Sequence, residues 1–265
     1  MYGGSLGGGT FAVTAFVDSS FLTALWIGWA LAVGLKGVAH IFFLGRPDRF
    51  WRAMMRPNSS WISRGVWIFT LLGLFGLLYL VPATWLNISW MQPGSIYSNI
   101  MLVIAVFFAI SEMTYPAFQM QRAAFALWKN NLLVILFPAL GVMGGAALTG
   151  FIMHLGVHGP EGMLSSVDQV AAYAGIVLAL TWALFFWTAY RDPLQYEAVR
   201  RLAFSKRFAG QFYFWFLGVA LGFPVVILLL GHFITAFEMP VVLIMAAEAV
   251  WLLKSSLALL RPACQ

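Results

Sequence analysis

The sequence predicts an all-α integral membrane protein, and three observations carry that prediction. Of 265 residues, 62% are hydrophobic and only 9% charged, with a mean hydropathy of +0.88, which is more apolar surface than one soluble core can hide. The apolar residues fall into runs of bilayer-spanning length. The loops between those runs alternate between strongly basic and free of Lys and Arg.

Hydrocarbon offers backbone groups no partner outside the helix, so a span needs about 20 apolar residues. By that measure about eight spans are predicted, near residues 3–18, 20–44, 62–86, 97–116, 131–153, 168–190, 209–234 and 239–260. The first is short, rich in glycine, and separated from the second only by Val17-Asp18-Ser19. No basic segment precedes it, so a cleaved signal peptide is not expected. The second ends at a loop, residues 45–64, that carries Arg46, Arg49, Arg52, Arg56 and Arg64. The third ends at the uncharged segment around Asn87 to Ser98, and the fourth at Arg122 and Lys129. His154 to Val167, without Lys or Arg, separates the fifth from the sixth. Arg191, Arg200, Arg201, Lys206 and Arg207 follow the sixth, Glu238 divides the last two, and Arg261 follows the eighth. Positive charge marks the cytoplasmic side of short loops, so the arginine-rich face is expected in the cytoplasm. This also accounts for a pI of about 9.7 without nucleic acid.

Glycines at four-residue spacing, Gly3/Gly7 and Gly4/Gly8 in the first span and Gly141/Gly145 in the fifth, let helices approach closely. They fit a single membrane domain, 1–265, built as two four-helix bundles, residues 1–130 and 131–265. The charged stretch from Arg191 to Arg207 reads as a solvated amphipathic surface. One cysteine, Cys264, leaves no set of thiolates for disulfides, iron–sulfur clusters or cysteine-held zinc.

Ionisable groups inside spans are costly and therefore functional candidates. Lys36, His40, Glu112, Glu248 and Lys254 qualify. Lys36 and His40 lie four apart on one helical face, and the fourth span runs back to bring Glu112 and Tyr115 to the same depth, beneath the arginine loop. A cation, an imidazole, a carboxylate and a phenol at one level would suit a quinone head group, whose two oxygens need hydrogen-bond donors and whose redox chemistry needs proton exchange. Plain structural roles are open as well. Lys36 can snorkel or form a buried pair with Glu112, and Glu248 can serve as a proton relay or as a neutral acid bonded to a carbonyl. The four histidines, His40, His154, His158 and His232, do not pair deep in facing helices as two haems would require. His154 and His158 have helical spacing but lack a third ligand for a metal.

Two stretches go further. Leu44-Gly-Arg-Pro-Asp-Arg-Phe50 with Pro57-Asn-Ser-Ser-Trp-Ile-Ser-Arg-Gly-Val-Trp67 resembles the signature of NrfD-like membrane subunits, typified by polysulfide reductase. The Ser-Trp-Ile-Ser-Arg part is also similar to the dimethyl sulfoxide reductase anchor. Thr114-Tyr115-Pro116-Ala117 and Leu127-Trp128-Lys129-Asn130 resemble further family segments. The resemblance implies a haem-free subunit of a bacterial or archaeal inner membrane that binds menaquinone or ubiquinone. It implies partners too: a subunit carrying [4Fe-4S] clusters and a catalytic subunit with a molybdenum or tungsten pterin. Tyr115 matches the family's quinone-bonding Tyr. The family's other head-group ligands have no clear match here, so chemistry suggests Lys36 and His40 in their stead, with Glu112 and Glu248 moving protons. Arg46, Arg49, Arg52 and Arg64 would dock an acidic iron–sulfur partner. The competing readings are a small-solute or ion transporter, which would be expected to show broken helices in paired repeats, and a purely structural anchor.

Overall fold

A computed structural model describes residues 2–43, 47–86, 88–122, 126–157, 159–204 and 210. Over these residues the chain is helical, without a strand. α1 (Tyr2–Val17) is followed by α2 (Leu22–Trp29), a π-helical turn (Ala30–Leu35) and α3 (Lys36–Phe43). Then come α4 (Trp61–Thr84), α5 (Ile96–Gln121), α6 (Leu133–His154), α7 (Met163–Arg191) and α8 (Pro193–Phe204). Short 3-10 turns lie at Pro47–Met54, Ser89–Met91 and Ala126–Lys129. Among the described residues five segments are long and apolar enough to cross a bilayer: Leu22–Phe42, Trp61–Thr84, Ser89–Gln121, Leu133–His154 and Met163–Arg191. They correspond to the second through sixth predicted spans, and the all-α membrane class stands. The expected spans at 209–234 and 239–260, with His232, Glu248 and Lys254, lie outside the described residues, as do Arg46 and His158.

The first predicted span has a different character from the rest. At 1.5 Å per residue, the 16 residues of α1 reach about 24 Å, short of a hydrocarbon core of about 30 Å. Yet residues 4–14 are all buried, and a helix buried on every side sits inside a bundle rather than on its surface. Its glycines make this possible, each turned to a different neighbour. A methyl group at Gly9 would overlap the carbonyl of Gly141 on α6, one at Gly145 would overlap Gly9, and one at Gly7 would overlap Ala32 in the π turn. At Gly8 it would stand 2.9 Å from the carbonyl oxygen of Ala109 on α5. The small-residue patches of the first and fifth spans thus meet each other, and α6 is the most extensive contact of α1. Thr14 and Thr149 fasten this seam with a buried hydroxyl pair 3.0 Å apart, and Thr149 also donates to the carbonyl of Gly145.

Backbone packed this closely cannot yield to an added side chain. Gly9→Ala is expected to destabilise the protein by about 1–3 kcal/mol, the usual cost of overpacking, and to lower its thermal midpoint in detergent. Val13→Ala, a change in the same helix that removes volume instead, separates the clash from a general sensitivity of α1.

Two helix ends differ from expectation. α5 passes through Pro116 and ends at Gln121. A proline inside a helix forgoes one hydrogen bond, and buried packing of Ala117 and Met120 against α6 carries the helix on. Pro82 in α4 is accommodated similarly: the carbonyl of Leu78, which it leaves without a helical partner, accepts from the Tyr97 hydroxyl at 3.3 Å. α7 starts at Met163, five residues before the expected 168, directly after Gly162 in the left-handed conformation (φ 75°). Beyond α7, Asp192 caps α8 by accepting from the backbone N–H of Leu194 (2.9 Å) and Gln195 (3.2 Å). On its exposed face Arg201 donates to Glu197 at 3.0 Å, as expected of a solvated surface.

Candidate functional site

The π turn at Ala30–Leu35 sets the site's geometry. Such a turn inserts an extra residue into a helix and rotates everything after it by roughly 100° about the axis. Lys36 follows immediately and points inward, only 5% exposed. Its ammonium group donates to Glu112 Oε1 in a buried ion pair and to the Tyr115 hydroxyl at 2.9 Å. It also stands 4.5 Å from the centre of the Tyr115 ring and 5.9 Å from that of Phe69. Glu112 and Tyr115, three apart on α5, share the face that meets it.

Glycines let these groups approach. Gly4 of α1 covers the ion pair, where a methyl group would stand 2.9 Å from Lys36 Cδ. Gly65 of α4 lies flat against the Tyr115 ring, and a methyl there would overlap it. Glu112 is 1% exposed, and its second oxygen, Oε2, has no hydrogen-bond partner. His40 is exposed, one turn beyond Lys36, and its Nδ1 lies 2.8 Å from the Lys36 carbonyl oxygen. A carbonyl only accepts, so Nδ1 carries the proton, and in the neutral ring Nε2 is left as an acceptor.

Next to these groups is a pocket of about 170 Å³ whose wall includes Lys36, His40, Tyr115, Gln119, Phe69 and Ile62. Its polar side chains come from α3 (Lys36, His40) and α5 (Tyr115, Gln119), and α4 contributes only Ile62, Gly65, Val66 and Phe69. The structure therefore brings together Lys36, His40, Glu112 and Tyr115, as the sequence anticipates. Gln119, Phe69, Gly4 and Gly65 are additions. Of these, Gly65 carried a signal as the glycine within Ser-Arg-Gly and Gly4 as one of the glycines at four-residue spacing. A flat, largely apolar ring with two polar oxygens matches such a lining, a few polar groups set in an otherwise apolar wall.

The arginine loop, which leads into Ile62 of the pocket wall, is folded by its own motif. Ser60 caps α4 by accepting from Ser63 N–H (3.4 Å), and Ser63 Oγ accepts from Arg56 N–H (3.2 Å). Arg64 donates to the carbonyls of Pro57 (2.7 Å) and Asn58 (2.9 Å) and lies 4.4 Å over the Trp61 ring. Trp61 stacks on Phe118 of α5 at 4.6 Å, and Trp67 donates to the Met54 carbonyl at 3.1 Å. Arg64 is thus bonded within its own loop; Arg49, Arg52 and Arg56 are exposed, with Arg52 lying over Trp51. At the opposite end His154 closes α6, and among the described residues no three side chains of metal-ligating type come together.

With this geometry in view, comparison with known families finds one model, described as "Polysulphide reductase, NrfD", that matches residues 11–264, nearly the whole chain. No curated protein matches it.

Proposed function

Because the chain belongs to the polysulphide reductase NrfD family, a family of membrane subunits of respiratory oxidoreductases, we propose that it is the quinone-reactive anchor of such a complex. In this reading it exchanges two electrons and two protons between menaquinone or ubiquinone in the bilayer and a partner subunit bearing [4Fe-4S] clusters. That partner serves a molybdenum or tungsten catalytic subunit. The observation that carries the reading is the pocket between α3, α4 and α5, where a phenol, an imidazole and a buried ion pair converge on a largely apolar cleft.

The roles follow from donor direction. Lys36 spends its hydrogen bonds on Glu112 and Tyr115, so the Tyr115 oxygen is already an acceptor and its own proton is free to point into the pocket toward a ring oxygen. His40 offers Nε2 to the other oxygen, accepting a proton when the ring is neutral and donating one when it is charged. Being exposed, it can pass that proton outward. Lys36 and Glu112 hold Tyr115 in register and keep the local charge balanced, and Glu248 would extend the proton path. Arg49 and Arg52, with Arg46, would dock the partner's acidic face, while Arg64 keeps the loop folded for them. The arginine face would be cytoplasmic by the positive-inside rule.

The test is to purify the intact complex in mild detergent and identify its subunits, metals and lipids by mass spectrometry. An iron–sulfur subunit and about one quinone per complex are expected. A stable chain with neither would overturn the proposal.

A further inference from the structure

Along their length α3, the π turn and α2 pack against α4 in a regular ladder. Trp29 lies against Gly76, Val33 against Gly73 (3.3 Å to an added methyl), and Gly37 against the Phe69 ring (2.9 Å). The next rung, one turn nearer the arginine loop, should join Ile41 to residues near Ile62 and Val66. There the helices part and the pocket begins, with all three of these residues in its wall. Ile41 and Ile62 are 53% and 56% exposed, so the pocket is open sideways, between two membrane helices. Phe69 closes its deep end.

We propose that this cleft is a lateral portal. The occupant's head group enters from the bilayer between α3 and α4, and its isoprenoid tail stays threaded between Ile41 and Ile62 with its length in lipid. This rests on the quinone reading and specifies its ligand as a long-tailed one. Two features support it. The polar Lys36 and Tyr115 of the wall are buried while the aliphatic Ile41 and Ile62 are exposed beside His40, which orients an amphiphile head inward. And at about 170 Å³ the pocket is smaller than the roughly 300–1,000 Å³ that encloses a drug-sized ligand, so it has room for a head group and leaves a long tail outside. Tail burial adds affinity through apolar contact at the rim.

The test measures binding with the intact complex in lipid nanodiscs, using a long-chain menaquinone and the tail-less 2-methyl-1,4-naphthoquinone. Ile62→Trp, which plugs the rim from an exposed position, should weaken binding of the tailed quinone at least tenfold more than that of the tail-less one. Leu74→Trp, exposed on the same helix but away from the cleft, should change neither. Equal weakening of both quinones by Ile62→Trp, no weakening of either, or loss of the tailed quinone in Leu74→Trp would overturn the portal while leaving the quinone site itself intact. Failure of both quinones to bind the unaltered complex would instead remove the quinone reading, and the portal with it.

Discussion

Tyr115→Phe is expected to lower quinone-linked turnover roughly 10- to 100-fold and to leave the dye-linked activity of the catalytic partner unchanged. The variant keeps the ring that packs on Gly65 and lies 4.5 Å from the Lys36 ammonium, so the fold around it has no reason to relax. What it loses is one hydroxyl that accepts from Lys36 at 2.9 Å and, in the proposed reading, donates to the ring oxygen. A hydrogen bond involving a charged group contributes about 1.5–3 kcal/mol, and each 1.4 kcal/mol is a factor of ten. Two steady-state assays suffice, one with a quinol or quinone and one with an artificial dye that meets the partner directly. Equal loss in both would mean that Tyr115 serves assembly.

The second large effect concerns the buried pair. Lys36→Met leaves Glu112 as a carboxylate with neither oxygen partnered, and Glu112→Leu leaves the ammonium with only the Tyr115 hydroxyl. Removing one member of a buried ion pair typically costs about 3–5 kcal/mol, while replacing both by apolar residues is often neutral. Against a total stability of about 5–15 kcal/mol, each single variant should fall steeply in yield and thermal midpoint. The double variant Lys36→Met/Glu112→Leu should recover most of that loss, a coupling that a double-mutant cycle measures. Its quinone-linked turnover should stay low, because the group that orients the Tyr115 hydroxyl has gone. Single variants as stable as the parent would sink the view that this pair joins α3 to α5 beneath α1.

How much of this was legible beforehand depended on the range of the signal. Hydropathy runs located the segments from α2 to α7 to within a few residues, since burial in hydrocarbon acts on every residue of a span. The fourth span was expected to end at 116, and α5 runs on through Pro116 to Gln121, because a proline's local penalty is overridden where the following turn is packed on both sides. The convergence of Lys36, His40, Glu112 and Tyr115 was foreseeable from depth alone, as antiparallel helices match position to level. The bonds of Arg64 to the Pro57 and Asn58 carbonyls were not, since in sequence it looks like any other loop cation.

By itself, then, the sequence determined the membrane class, the positions of the main spans, the family signature in the loop and the level of the charged residues, all properties of segments read one at a time. Only the tertiary structure decided that α1 is buried along residues 4–14, that the π turn directs Lys36 inward, and that α3 and α4 part to open a pocket at Ile41 and Ile62. The physical reason is that these depend on which backbone each glycine meets. Gly9 against Gly141, Gly4 over Glu112 and Gly65 under Tyr115 are pairings between distant segments, and a glycine's own neighbours in the chain do not say whose side chain or carbonyl will fill the space it leaves.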